Sequence, residues 1–593
     1  MSSPPASSRS GATATTSTRP CTRRRYKDLD GDGYGLDGSD STQCSQPNGY
    51  ILQGGDCDDG DPATHAGAED YCDGVDRDCD GEVDEADSVD VITVYEDADG
   101  DGFGNPQSTA DACGAGDGWV LDDTDCDDTN DAVNPSVTVE VPGDGIDQNC
   151  DGIDQCTDLD CDGLVDLILA EAYDGDYGAN IWIYFNDGGG FSSGRSRELE
   201  NQAQSYDPIV IDLDSDGYLD MVVPNYRGAD GSHATSSYIY WGTGAGPSTN
   251  NRTAFATVGG RRALVEDLNN DGVLDLVFLN HYTGSSYNQD SHVYWGPDFD
   301  EETRTAIPTY GALIADSGDI DGDGFTDLAI CNHSNGATNT SATSAVYFGT
   351  QDGLDTEAPM TLTTYGCHDV VVQDLNADGY DDAVFANYRS STDYTIDSKV
   401  VYGTPGRTSA YYDALPTYGA TDVLIEDWNQ DGYPDLLFSG YYSGSWSTDA
   451  AVRLFWGSPW GYTTSVRTDF PHRGAHTLAT GDLDGDGWLD LVLPRYRSST
   501  SASSYNTTSR IYFNSAEGFD TTTYTSISTR GGATATVGDV DFDGLPDILF
   551  GNYYNGSWGS PAKTQVYTGS SGWGDYVELD SYGVWSAPVL VGL

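Results

Sequence analysis

A chain of 593 residues exceeds what one compact core sustains, so it is either several domains or a repeat array. Its 25 basic against 98 acidic residues give a formal net charge of -73, which excludes a nucleic-acid-binding face, since that needs a basic stripe, and makes compaction self-repelling unless cations are bound. The 37% hydrophobic content, with 73 Gly and 39 Tyr and no apolar run long enough to span a membrane, suits short strands and tight turns.

Residues 1–25 are expected to form a disordered tail, being Ser/Thr-rich and basic and lacking the apolar stretch of a secretory signal. Twelve Cys and many acidic turn motifs nonetheless suit an oxidising, calcium-rich exterior. An extracellular or cell-surface location is therefore expected, with the start misassigned or a leader lost.

Residues 26–94 and 95–155 form an internal duplication. "YKDLDGDGYG" recurs as "YEDADGDGFG", "GYILQGGDCDD" as "GWVLDDTDCDD", and "DGVDRDCDG" as "DGIDQNCDG". Cys44, Cys57 and Cys79 are matched by Cys113, Cys126 and Cys150, whereas Gly143 stands where a match to Cys72 would be. With almost no aliphatic periodicity, these repeats are expected to fold around metal and disulfides, with Asp28, Asp30, Asp32, Asp97, Asp99 and Asp101 as ligands. Cys44–Cys57, Cys113–Cys126 and Cys72–Cys79 are candidate bridges, although sequence does not fix connectivity and reduced metal-binding thiols are the alternative.

From residue 158 a nine-residue pattern, D-x-[DN]-x-D-G-x-x-D, appears eight times with starts 52 to 57 residues apart. Alternating apolar segments precede it ("DVLIED") and follow it ("DLVFLN"). A third ends in an aromatic with Gly or Asn ("YIYWG", "WIYFN"), and a weaker fourth closes the unit. Four period-two segments per unit predict an antiparallel four-stranded blade. The fold class is therefore all-β, with residues 156–593 forming an eight-bladed β-propeller; seven blades with a stray unit is the alternative. The terminal "YGVWSAPVLVGL" resembles a first strand and is expected to complete blade one, while Cys331 and Cys367 are placed to pair across adjacent blades.

Calcium takes six to eight oxygens, and the opening of this pattern reproduces the start of a calcium loop: alternate carboxylates, then Gly for the reversal. The predicted ligands are Asp158, Asp160, Asp162 and Asp166 in the first copy, Asp212, Asp214, Asp216 and Asp220 in the second, and Asp267, Asn269, Asp271 and Asp275 in the third. Asp319, Asp321, Asp323 and Asp327 follow, then Asp374, Asn376, Asp378 and Asp382, and Asp427, Asn429, Asp431 and Asp435. Asp482, Asp484, Asp486 and Asp490, and finally Asp539, Asp541, Asp543 and Asp547, complete the set. Magnesium keeps more of its waters, and zinc or copper wants His or thiolate, so Ca2+ is the expected cofactor. The bland alternative is that Asp-Gly turns merely shape hairpins.

These motifs with their flanking strands resemble the FG-GAP/VCBS repeats of integrin α-subunit propellers and of secreted bacterial proteins, over about residues 156 to 593. That resemblance implies calcium at the blade loops and recognition of protein or glycan on the propeller surface. The duplicated region is similar to the MopE-type Asp/Cys repeats, with a thrombospondin-type-3-like "DGDGYG". The MopE-type family is labelled copper-binding; here the region holds a single histidine, His65, and copper is not expected.

At the far end of each second strand stand "NYR", "NHY", "NHS", "GYY", "RYR" and "NYY". Tyr226, Arg227, Tyr282, Tyr388, Arg389, Tyr441, Tyr496, Arg497 and Tyr553 are candidate ligand-binding residues there, with bracing between blades as the alternative. The sequence holds no H-E-x-x-H or P-loop, and its eight His read as scattered. The expected function is a secreted or surface calcium-binding propeller acting in adhesion or recognition of an extracellular protein or glycan, without enzyme activity. A structural protein without a discrete ligand is the alternative, and a glycan-active enzyme a more distant one.

Overall fold

The structure is a computed structural model. It describes residues 23–42, 45–84, 86–137, 146–150, 156–172, 178–334, 341–407, 412–444, 450–497, 505–554, 562–581 and 583–592. Most of the tail, Cys21 and Cys44 therefore lie outside the described residues. The chain forms two compact units, Met1–Glu140 with Ile146–Gly152, and Val141–Gly145 with Ile153–Leu593. No described helix is long and apolar enough to cross a membrane.

In the first unit each repeat holds a three-stranded antiparallel sheet. Arg24–Lys27 lies between Ser41–Thr42 and Tyr50–Ile51, and Ile92–Glu96 lies between Asn105–Ala112 and Trp119–Val120. Among the described residues here, Val94 and Val133 are the buried aliphatic side chains, while Asp56, Asp59, Asp70, Asp125 and Asp128 are buried too. Disulfides replace the missing core, and their pairing overturns all three candidate bridges. The bonds are Cys57–Cys79, Cys126–Cys150 and Cys72–Cys113. The first two are copies of one closure: the N–H of Cys57 or Cys126 lies 3.2 Å from the sulfur of Cys79 or Cys150. Cys72, lacking a counterpart, reaches Cys113 in the other repeat.

Among the described residues the second unit contains eight four-stranded antiparallel sheets, plus the short pairs Ala203–Ser205 with Asn225–Gly228 and Gly349–Thr350 with Gly353–Leu354. Sheet two is typical, with strands Ile209–Ile211, Asp220–Val223, Ala234–Tyr240 and Arg252–Val258 in sequence order. The second strands of sheets three to eight are Asp275–Asn280, Asp327–Asn332, Asp382–Asn387, Asp435–Phe438, Asp490–Leu493 and Asp547–Asn552. Each begins on the ninth residue of its acidic motif and is buried throughout, as a near-continuous apolar run covered on both faces should be. Sheet one combines Val589–Val591 with Asp166–Ala170, Ile181–Tyr184 and Ser196–Leu199; Val589 lies opposite Ile168.

Each of eight apolar clusters is shared by two sheets. Val277, Leu279 and Ile307 of sheet three pack with Leu328, Ile330 and Tyr347 of sheet four. Seven such clusters join sheets consecutive in sequence, and the eighth joins Leu549 and Val566 of sheet eight to Leu167, Leu169 and Tyr184 of sheet one. Burying each large apolar side chain contributes roughly 1.5–3 kcal/mol.

Polar bolts add direction to this packing. Asn280, at the end of a second strand, accepts the Val258 N–H of the preceding sheet at 2.8 Å and donates to the Asp290 carbonyl of its own third strand at 2.8 Å. Its own N–H donates to Ser291 Oγ, which in turn bonds Thr309 Oγ1 at 3.0 Å. Asn332 and Asn387 repeat the arrangement. The disulfide Cys331–Cys367 joins sheets four and five, the pairing expected for those two cysteines.

Candidate metal loops and an aromatic face

Each acidic loop is folded by its own carboxylates. The first Asp accepts the N–H groups of the fifth and sixth residues: Asp212 from Asp216 at 3.1 Å and Gly217 at 3.0 Å, Asp427 from Asp431 at 3.0 Å and Gly432 at 2.8 Å. Asp158, Asp267, Asp319, Asp374, Asp482 and Asp539 do the same. Gly487 shows why the sixth position is glycine, since its φ of 89° is left-handed backbone. The fifth carboxylate then accepts the seventh N–H, as Asp162, Asp216, Asp271, Asp323, Asp378, Asp431, Asp486 and Asp543 all do.

These bonds hold the carboxylates at the loop yet leave oxygens over. Asp160 Oδ1, Asn376 Oδ1 and Asp541 Oδ1 are buried without a hydrogen-bond partner. In loop one Asp158, Asp160 and Asp166 each bring an oxygen within 4.8 Å of the others. Burying unpaired carboxylate oxygens side by side is costly, and a hard cation held by several of them removes the cost. The donor set fits such an ion. In Asn269 and Asn429 the amide donates to Asp271 and Asp431, leaving the carbonyl oxygen as the acceptor of this shared position. Asp214 and Asp484 are held up in pKa by burial and neighbouring carboxylates. Two loops carry a cation of their own that spacing did not reveal: Arg195 lies 3.5 Å from Asp160 and 3.3 Å from Asp162, and Arg407 lies 3.0 Å from Asp321.

The ninth Asp has a second role. In Asp220 one oxygen accepts the Leu213 N–H at 3.0 Å and the other the Gly242 N–H at 2.7 Å, tying the loop's start to the end of the third strand. Asp166, Asp275, Asp327, Asp382, Asp435, Asp490 and Asp547 make the same pair of bonds. Burial raises these carboxyls, to about 8 for Asp166, about 7 for Asp220, Asp327, Asp382 and Asp435, and about 6 for Asp275, Asp490 and Asp547.

In the first unit Asp28, Asp30 and Asp32 form one oxygen cluster and Asp97, Asp99 and Asp101 its copy. The sequence reading missed Asp125 and Asp128, which gather with Asp99, and Asp70, Asp76 and Asp78, which form a further cluster. Asp59 and Asp128 fix the loops by accepting the N–H of Leu29 at 2.6 Å and of Ala98 at 2.7 Å. The signal available was the "DCDD" shared by both repeats. His65 stacks on Tyr34 at 4.3 Å.

At the far ends of the second strands, ring follows ring. Tyr226 meets His281 at 6.0 Å, His281 meets His333 at 5.8 Å, and His368 bridges His333 at 5.2 Å to Tyr388 at 4.8 Å. Tyr388, Tyr441, Tyr496 and Tyr553 continue at 6.1 to 6.3 Å, and Trp585 sits 4.4 Å from Tyr553. Tyr282 belongs to an outer set with His233 at 5.2 Å and Tyr287 at 4.5 Å. The arginines serve their own loops: Arg227 donates to the Gly231 carbonyl, Arg389 to the Tyr394 hydroxyl, and Arg497 lies over Tyr505.

The histidines are not scattered. His281, His333, His368 and His476 gather around this face, their pKa values lowered first by burial and then by neighbouring histidines and arginines, among them Arg261, which itself stacks 3.4 Å over Tyr206. Arg262 pairs with Asp207 at 2.8 Å, and burial raises Asp369 and Asp422, whose carboxylates accept the N–H groups of Val423 and Leu478 in the next sheet.

Comparison with known proteins places these features in a class. Residues 158–223, 267–330 and 427–493 match the family model described as FG-GAP-like repeat, and residues 56–85 and 125–155 match one described as "Putative metal-binding motif". The chain carries both kinds of repeat. It is 29% identical over 153 residues to integrin alpha-PS5 of Drosophila melanogaster, a match covering 22% of this chain and 15% of the integrin. A crystal structure of a protein from Lactobacillus plantarum is similar at a TM-score of 0.33 and 11% identity, over 72% of this chain and 100% of that one.

Proposed function

We propose that this protein is a calcium-binding β-propeller of the cell exterior that recognises a protein or glycan ligand and performs no catalysis. The eight sheets are its blades, and the C-terminal strand closes blade one. Supporting closure are the pairing of Val589–Val591 with Asp166–Ala170 and the apolar cluster shared by sheets eight and one. The observation that carries the calcium reading is the recurrence of one carboxylate-lined loop at every blade in a chain of net charge -73, with buried oxygens left unpaired. Five disulfides among the described residues favour an oxidising setting.

The aromatic face is the proposed recognition surface. It offers ring faces, hydroxyls and the Arg261 guanidinium in one place. A purely structural role is the second reading, favoured by the same rings touching one another from sheet to sheet. Glycan and extracellular-protein arrays, probed with wild type, Tyr282→Ala and Arg497→Ala in calcium and in chelator, separate the two. Binding that the substitutions abolish without lowering the melting temperature supports recognition; no binding at all supports the structural reading.

A further inference from the structure

Trp460 is 91% exposed, far more than any other large hydrophobic side chain among the described residues. It sits on a fixed turn between the third and fourth strands of sheet six. The Gly461 N–H donates to the Ser458 carbonyl at 2.9 Å, Ser458 Oγ donates to the Gly461 carbonyl at 2.7 Å, and Gly461 has a φ of 78°. Thr243 with Gly246, Thr350 with Gly353, and Ser515 with Gly518 build the same hydroxyl-to-carbonyl turn in sheets two, four and seven. The residue before that glycine is Ala245, Asp352 and Glu517 in those turns. Sheet six alone among these four presents an aromatic, so the side chain serves nothing that the repeat itself requires.

The indole borders an open cleft of about 450 Å³ whose other wall belongs to sheet five: Asn376 and Asp378 of its acidic loop, with Tyr402 and Thr404. An apolar platform facing a polar wall, at this volume, matches a ligand with one apolar face and hydroxyls at its rim. We propose that this cleft binds a pyranose ring of a glycan, stacked on Trp460 with its hydroxyls toward the exposed Asp378 in the loop of sheet five. This gives a ligand class to the recognition reading above and rests on it, but lies at the acidic-loop ends of the sheets rather than at the aromatic face.

The test is an array of immobilised mono- and oligosaccharides probed in calcium with wild type, Trp460→Ala, Trp460→Phe and Tyr282→Ala, followed by titration of the best-bound sugar. Trp460→Ala is expected to weaken binding about tenfold or more, Trp460→Phe to retain part of it, and both to keep the wild-type melting temperature because the side chain is exposed. Absence of any glycan bound by wild type, or undiminished binding by Trp460→Ala, overturns the proposal. If Tyr282→Ala abolishes glycan binding while Trp460→Ala does not, recognition at the aromatic face survives and the cleft is refuted.

Discussion

Replacing Asp382 by Ala separates the two jobs of the acidic loops. Its buried carboxylate accepts the Leu375 N–H at 3.1 Å and the Gly403 N–H at 2.8 Å, so truncation strands two donors in the interior. Each unsatisfied group costs about 1–3 kcal/mol, giving about 2–6 kcal/mol for the pair. Asp378, in the same loop, is exposed and accepts the nearby Tyr380 N–H at 3.1 Å, so its main contribution is to the cation. Urea denaturation of both variants in calcium and in chelator reads the difference. Asp382→Ala should destabilise in both conditions, and Asp378→Ala mainly in calcium. An Asp382→Ala protein that matches wild type in chelator would show that the ninth carboxylate acts through metal and not through these hydrogen bonds.

Asn280→Ala removes the acceptor of Val258 N–H and the donor to the carbonyl of Asp290; because Asp290 is exposed and its carbonyl can bond water, one stranded group remains and the cost should be about 1–3 kcal/mol with or without calcium, measured by the same denaturation. In chelator, stability should fall as pH rises. The ninth carboxyls hold protons in the folded state up to about 6 to 8, above their unfolded values, so their contribution is fully present at low pH and lost as pH climbs through that window. Melting temperatures at pH 5 and pH 8 check the sign, and a higher value at pH 8 contradicts it. Non-reducing peptide mapping should recover Cys72 linked to Cys113 and Cys57 linked to Cys79; recovery of Cys72 with Cys79 refutes the connectivity.

Strand positions were legible because period-two segments flank a motif that always ends where a buried strand begins, as Asp275 opens Asp275–Asn280. The tying role of that Asp was not, since a ligand and a hydrogen-bond acceptor share one spacing; the only hint is the fully apolar run that follows it. Asn280 was grouped with the surface-facing "NHY", yet its side chain turns inward to neighbours that only strand register reveals. His281, His333, His368 and His476 meet across as many as 195 residues of sequence, beyond any local pattern. The Cys57 and Cys126 bridges were hidden differently: the duplication marked the copies but not the partners within each.

The central claim is that divalent cations neutralise the acidic loops and thereby hold the sheets together. The most direct measurement is calorimetric melting of the chelator-stripped protein at low ionic strength, before and after calcium is restored, with bound metal counted on the same samples. Ligand binding only to the folded state stabilises by about 2.7 kcal/mol per site at a hundredfold excess over Kd, so restoration should take up several calcium ions and raise the melting temperature steeply. A stripped protein that melts at the same temperature as the calcium-loaded one would contradict the account.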